Sequence, residues 1–109
     1  MNKKKPSNRR VGQRRVAEVK VMVTDDRLGL TRCKLRDISL DGAFIEAENL
    51  SLSKNANVDL VLRIRYGNKR KHCRVPATVL RVTDNGAALA FSKLDERVYR
   101  TLFDIVYPS

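Results

Sequence analysis

Five apolar residues at every second position, followed by a glycine–asparagine pair, constrain the fold of this chain more than any other feature. The stripe consists of Val58, Leu60, Leu62, Ile64 and Tyr66. Most residues between them are charged, and this alternation predicts a β-strand with one buried face, because successive side chains of a strand point to opposite sides. Gly67-Asn68 is typical of a two-residue hairpin turn of the mirror-image class. It predicts a return strand over about 70–82.

Shorter alternating segments stand on both sides of this hairpin. Their predicted inward-facing residues are Val19, Val21 and Val23, then Cys33 and Leu35, then Ala43, Ile45 and Ala47, and last Ala87, Leu89 and Phe91. Turn-forming residues separate the segments at 25–29, 41–42 and 84–86. The sequence therefore predicts six short strands, and strands of this number and spacing favour a small antiparallel barrel.

The last segment changes to helical spacing. Its main apolar positions are Leu94, Val98, Leu102 and Ile105. They predict an amphipathic helix at about 94–107, with Ser92 as its N-cap and Asp95 and Glu96 in the first turn, where the helix dipole favours acids. We expect the helix to cover the barrel, and the alternative is that it offers its face to a partner. The predicted fold class is all-β with a terminal helix: a six-stranded antiparallel β-barrel plus a C-terminal α-helix.

Length and composition exclude several classes of protein. The 109 residues fit one domain, and a hydrophobic content of 42% supports a folded core. No apolar run approaches the roughly 18 residues of a transmembrane helix, and no apolar stretch follows the basic N-terminus. We therefore expect no membrane insertion, no secretory signal and a cytoplasmic location, in which Cys33 and Cys73 stay reduced.

Residues that carry catalysis are sparse. His72 is the only histidine, and it stands in a predicted strand between Lys71 and Cys73 without a partner for acid–base chemistry. The two cysteines form no CxxC pair, and the chain has no HExxH, GxSxG or P-loop motif. The sequence therefore indicates a binding protein and not an enzyme, with no catalytic residue, no metal ligands and no cofactor.

The positive charge is concentrated in the N-terminal arm, defined here as residues 1–15. The chain has a net charge of +11. The arm contains seven Lys and Arg and no acid, whereas residues 16–109 contain sixteen bases and twelve acids, a net charge of +4. Such an arm attracts anions such as nucleic acid, a nucleotide, an anionic membrane or an acidic protein. Its composition also predicts that it is flexible when free.

Two clusters are candidate binding sites. The first, residues 9–15, has the sequence RRVGQRR and immediately precedes the first strand. Arginine presents a planar fork of donors that fits phosphate oxygens and the O6 and N7 acceptors of guanine, and its flat face can stack on a purine. The second, residues 37–42, has the sequence DISLDG at the junction of two strands.

Each polar residue of the second cluster has a possible role in binding. Ser39 can donate to a phosphate, and the Asp37 carboxylate can accept from the N1 and N2 donors of guanine or orient an arginine. Gly42 allows positive φ or a close backbone approach. By itself, however, the cluster is typical of a polar β-turn in which Asp37 or Asp41 hydrogen-bonds its own backbone.

Together the clusters resemble the signature of the PilZ domain family, an RxxxR arm followed by a [D/N]xSxxG turn. Here Arg10 and Arg14 precede Asp37, Ser39 and Gly42, with 23 residues from Arg14 to Asp37. The resemblance covers nearly the whole chain, including the last strand and the helix. It implies a six-stranded barrel that binds cyclic di-GMP, a bacterial second messenger with two guanines and two phosphodiesters.

The resemblance also implies roles for individual residues. Arg10 and Arg14 would hold phosphates and guanine edges, with Arg9 as a helper. The position after the second motif arginine is commonly apolar in the family, but here it is Arg15, which could therefore substitute for Arg14. The opposite wall would consist of Asp37, Ser39 and Gly42. On binding, the arm would fold over the ligand and alter a contact with a protein effector, for example in motility, adhesion or biofilm control.

Three alternatives stay open at this stage. A small basic barrel can instead bind RNA or single-stranded DNA through a basic groove and exposed aromatic rings. Phe44 is the single candidate platform for stacking, because the other rings are expected to point inward or to belong to the helix pattern; these are Tyr66, Phe91, Tyr99, Phe103 and Tyr107. A degenerate PilZ domain would act only through protein contacts, and a functional one could take one or two ligand molecules.

Overall fold

The computed structural model describes residues 16–25, 29–48 and 50–107. Six strands and one helix follow each other in this part of the chain. They are β1 (Val16–Asp25), β2 (Gly29–Ile38), β3 (Gly42–Glu46), β4 (Asn57–Tyr66), β5 (Lys69–Thr83), β6 (Gly86–Phe91) and α1 (Glu96–Val106). The strands form a closed antiparallel barrel in the order β1-β2-β3-β6-β5-β4, with β1 pairing both β2 and β4. This architecture confirms the predicted fold class.

The predicted stripe on β4 lines the interior of the barrel. None of its five residues is exposed by more than 5%, and alternate residues of β5 face them from the neighbouring strand. Tyr66 pairs with Lys69 across the two-residue turn, and Gly67 has a φ of 58°, as the mirror-image turn class requires. The period-two pattern thus fixed both the buried face and the register of this hairpin.

The β1–β2 side of the barrel is less tightly closed. Hydrogen-bonded pairing joins residues 21–25 of β1 to residues 29–33 of β2. Beyond these pairs, residues 16–20 pair only with β4 and residues 34–38 only with β3, so far as the described ranges show. The two strands therefore diverge toward one end of the barrel. The beginning of β1 and the turn after β2 both lie at that end.

The helix packs on the barrel, as expected, but it begins later than the sequence suggested. Ser92 is not its N-cap, because the Ser92 N–H donates to the carbonyl of Pro76 and thereby prolongs the β5–β6 pairing. The N-cap is Asp95, whose carboxylate accepts a hydrogen bond of 2.8 Å from the Val98 N–H. Leu102 is fully buried in the core and anchors the helix.

Candidate ligand-binding site

Ser39 organises the turn between β2 and β3. Its Oγ accepts hydrogen bonds from the N–H groups of Asp41 and Gly42, at 3.1 and 3.2 Å, and donates to the Gly42 carbonyl at 3.3 Å. The Ser39 N–H donates to the same carbonyl at 2.8 Å. The side chain that stabilises this turn is therefore the serine hydroxyl, and not Asp37 or Asp41 as the β-turn interpretation supposed.

Gly42 is required by close packing between β3 and β6. It pairs with Ala90, and a Cβ at this position would overlap the Leu89 carbonyl oxygen and lie 3.2 Å from the Leu89 carbonyl carbon. Among the described glycines, Gly29 and Gly67 have positive φ and Gly42 does not. Of the two roles that the sequence suggested for Gly42, positive φ or a close backbone approach, the structure therefore shows the close approach. The glycine of the motif thus has a structural reason that needs no ligand.

Asp37 presents an exposed carboxylate beside this turn. Its backbone pairs with Phe44, and the β2–β3 register shifts between Leu35 and Asp37, which makes Arg36 the extra residue of a bulge. Among residues 16–25, 29–48 and 50–107, no hydrogen bond or ion pair involves the Asp37 side chain. The carboxylate is therefore open to accept from a ligand or from an arginine.

The outer face of β6 next to the turn carries only small side chains. Ala88 and Ala90 of β6 alternate with the buried Ala87 and Leu89, so their methyl groups point outward. Ala90 pairs with Gly42 on one side and Thr78 on the other. We call this surface the alanine floor. Its outward side chains are single methyl groups.

Two arginines that the sequence analysis did not single out flank the alanine floor. The Arg36 guanidinium lies over the Phe44 ring, 5.7 Å from its centroid, and pairs with Glu46 at 3.3 Å. Arg81 of β5 pairs with Ala88 and is exposed. Their outward positions on strands next to residues 37–42 could have identified these arginines from the sequence. The sequence spacing does not show, however, that β3 pairs with β6.

The four arginines of the first cluster, Arg9, Arg10, Arg14 and Arg15, lie outside the described residues. The strand that follows them, β1, begins at Val16 within the described residues. β1 and β2 are antiparallel, and Val21 of β1 lies opposite Cys33 of β2. The start of β1 at Val16 and the end of β2 at Ile38 are each five residues from this pair and lie at the same end of the barrel. The point where the N-terminal arm joins the barrel is therefore at the same end as the 39–42 turn.

The two cysteines in this part of the chain are free and at least partly buried. Cys33 and Cys73 are free thiols, and burial raises the pKa of both, that of Cys33 to about 11. No group of three or more His, Cys, Asp and Glu suited to a metal ion occurs among the described residues. Within the same ranges, no helix is long and apolar enough to cross a membrane.

The aromatic residues lie where the sequence predicted, inside the barrel or at the helix, but the rings at the helix are exposed. Tyr66 is buried and Phe91 packs against the core, but Tyr99, Phe103 and Tyr107 are exposed. The ring centroids of successive members of this series are 6.4 and 4.9 Å apart. These rings form an exposed aromatic surface on α1, a helix that contains two acids and two bases.

Comparison with known proteins assigns the fold to a family. A model of the PilZ domain matches residues 7–107, which include both clusters. The chain therefore belongs to the PilZ domain family, whose members are non-enzymatic receptors or adaptors for cyclic di-GMP. No curated protein matches the sequence.

Solved structures of PilZ proteins share the fold. The inhibitor of motility MotI/DgrA of Bacillus subtilis superposes with a TM-score of 0.67 at 18% identity, over 85% of this chain and 47% of that one. The PilZ domain of CeSA from a cellulose-synthesizing bacterium gives a TM-score of 0.62 at 14% identity, over 86% of this chain and 94% of that one. This chain thus spans about half the length of MotI/DgrA.

Proposed function

We propose that this chain is a cyclic di-GMP receptor that holds its ligand between the N-terminal arm and the 37–42 cluster. The observation that carries the proposal is the pair of intact motifs in a PilZ chain whose β1 begins at the same end of the barrel as the 39–42 turn. Arg10 and Arg14 bind phosphates and guanine edges, with Arg9 as a helper and Arg15 able to replace Arg14. Asp37 lies at that same end of the barrel.

The turn supplies acceptors and a fixed geometry. The Asp37 carboxylate accepts from the N1 and N2 donors of one guanine or orients a motif arginine. Ser39 maintains the turn by accepting from two N–H groups. Its hydroxyl donates a long hydrogen bond of 3.3 Å to the Gly42 carbonyl in the free protein and donates to a phosphate oxygen instead when ligand is bound. The alanine floor lets a guanine ring lie flat beside Gly42.

Attraction and specificity have separate sources. The seven positive charges of the arm speed the encounter with a doubly charged anion, but any polyanion benefits equally. Specificity comes from forked hydrogen bonds to guanine, from arginine stacking and from the Asp37 carboxylate. The density of arginines in the arm also suits an intercalated pair of ligand molecules, whose four phosphodiesters need more compensating charge.

The output is a changed protein contact in the cytoplasm. Ordering of the arm over the ligand creates a surface next to the 39–42 turn that a protein effector can recognise. MotI/DgrA is named an inhibitor of motility, which favours control of motility as the process that this contact affects. The domain organisation is accordingly an arm over 1–15 and a barrel with its helix over 16–109.

Calorimetric titration of the full chain with cyclic di-GMP at physiological salt tests the proposal. We expect saturable binding that GTP and GMP do not reproduce. Arg10→Ala and the double variant Arg14→Ala/Arg15→Ala, which removes the second motif arginine together with its possible substitute, should each lose about 1.5–3 kcal/mol of binding free energy, roughly tenfold to a hundredfold in Kd. Arg97→Ala on α1 is the matched control and should bind like the wild type. The absence of heat with every nucleotide would mean a degenerate PilZ domain.

A second pair of variants tests the role of the turn. Asp37→Ala should weaken binding, whereas Asp41→Ala, which removes another carboxylate from the same turn, should not. Binding of a short oligonucleotide with a steep salt dependence, reduced mildly and equally by every arm substitution, would favour the nucleic-acid alternative instead.

A further inference from the structure

A groove opens on the outer surface where β1 and β2 diverge. It has a volume of about 280 Å³. Its lining consists of Val19, Lys20, Val21, Met22, Arg32, Cys33, Lys34, Leu35 and Arg63. We call it the β1–β2 groove. Val19, Cys33 and Leu35 belong to the inward-facing set but are only partly buried, so the hydrophobic core is accessible at this point.

Beyond the paired residues 21–22 and 32–33, the sides of the groove are strand edges that do not pair with each other. Residues 16–20 of β1 and residues 34–38 of β2 each have a sheet partner on the far side, while no pairing between the two half-strands occurs in the described ranges. Each edge is five residues long, about 17 Å of extended chain. Such edges present backbone N–H and C=O groups to any extended segment that enters the groove.

The charged residues of the rim are all basic. Lys20, Arg32, Lys34 and Arg63 surround it, no acid lines it, and none of the four forms an ion pair within residues 16–25, 29–48 and 50–107. Lys20 and Arg63 are direct cross-strand partners, an arrangement of like charges that costs stability. A bound anion would relieve that repulsion.

We propose that the β1–β2 groove binds an extended segment of a partner protein in which acidic and apolar residues alternate. The backbone of the segment pairs with the two strand edges, its apolar side chains contact Val19, Cys33 and Leu35, and its carboxylates reach the four cations of the rim. Lysines at a strand edge normally protect it against pairing, but they admit a chain of opposite charge. The groove lacks an aromatic ring for base stacking, and the N-terminal arm has the same charge as the rim.

The test is an NMR titration of the full chain, without nucleotide, so that its outcome is independent of cyclic di-GMP binding. The probe is an eight-residue peptide of alternating valine and glutamate, and the control is the same peptide with lysine for glutamate. We expect the acidic peptide alone to shift the amide signals of residues 16–20 and 34–38 in a saturable manner. It should also slow their hydrogen exchange, because new interstrand hydrogen bonds protect them.

Charge reversal on the rim gives the decisive comparison. The double variant Lys20→Glu/Lys34→Glu should lose at least about tenfold in affinity for the acidic peptide and gain affinity for the basic one. Lys54→Glu, an exposed lysine in the β3–β4 connection, is the matched control and should behave like the wild type.

Several results would overturn the proposal. These are shifts confined to other parts of the barrel, equal binding of both peptides, or tighter binding at the same amides by an oligothymidine or by phosphatidylglycerol vesicles. Contacts between residues 1–15 and residues 34–38 in the free protein would also overturn it, because the groove would then be occupied by the chain itself.

Discussion

Replacement of Gly42 by alanine should destabilise the barrel in the absence of any ligand. The new Cβ would overlap the Leu89 carbonyl oxygen, which belongs to the backbone of β6 and cannot rotate away. Such overpacking costs about 1–3 kcal/mol, and Gly→Ala returns about 0.4–1 kcal/mol by restricting the unfolded chain. Because the overlapped atom belongs to the backbone, the cost lies in the upper part of that range, about 2–3 kcal/mol. The net loss is therefore about 1–2.6 kcal/mol, which lowers the Tm of a domain of this size by about 4–20 °C.

Gly86→Ala provides a comparison at the opposite end of the same β3–β6 ladder. There a Cβ would overlap the Ile45 carbonyl oxygen and approach the Phe44 ring at 2.8 Å. Thermal unfolding followed by circular dichroism should show both variants destabilised without ligand. Only Gly42→Ala should also weaken cyclic di-GMP binding, because only Gly42 belongs to the turn. A Gly42→Ala protein that melts with the wild type would refute the structural explanation of the motif glycine.

Five further substitutions test other contacts. Ser39→Ala removes the acceptor of two turn N–H groups and should cost about 1 kcal/mol of stability by thermal melting. Asp95→Ala removes the helix N-cap and should cost about 1 kcal/mol, whereas Ser92→Ala should leave the Tm unchanged. Leu102→Ala should cost about 2–5 kcal/mol in chemical denaturation, because the side chain that anchors α1 is fully buried. Burial raises the pKa of Cys33 from 9.0 to about 11, so the native state keeps the thiol proton to higher pH than the unfolded chain does. The contribution of this thiol to the free energy of unfolding is therefore fully present below pH 9.0 and is lost between pH 9.0 and about 11. Cys33→Ala should reduce this loss of stability in thermal melts taken across that pH range.

The fold was predictable to the extent that it depends on local periodicity. The β4 stripe and the Gly67-Asn68 turn specify a buried face and a hairpin register within fewer than thirty residues, and the structure agrees with both. The N-cap was not predictable, because Ser92 is still held by Pro76 on β5, a partner sixteen positions earlier in the chain. Local preference for a serine cap cannot reveal such a long-range hydrogen bond.

The candidate site was also predictable only where it depends on residues close together in the sequence. The motif spacing singled out Asp37, Ser39 and Gly42, and the structure places all three at one turn. Why the glycine is needed depends on β6, which lies more than forty residues away in sequence. The β1–β2 groove was equally hidden, since both strands have good alternation and only their register shows where the pairing stops.

A distance measurement between the arm and the turn tests the central claim most directly. A nitroxide spin label on Ser7→Cys, in a Cys33→Ala/Cys73→Ala background, broadens the amide signals of nearby residues. Saturation with cyclic di-GMP should strongly broaden the signals of Asp41 and Gly42 and leave Gly86, at the far end of β6, sharp. Signals of Asp41 and Gly42 that stay unchanged at full occupancy by the nucleotide would contradict a ligand held between arm and turn.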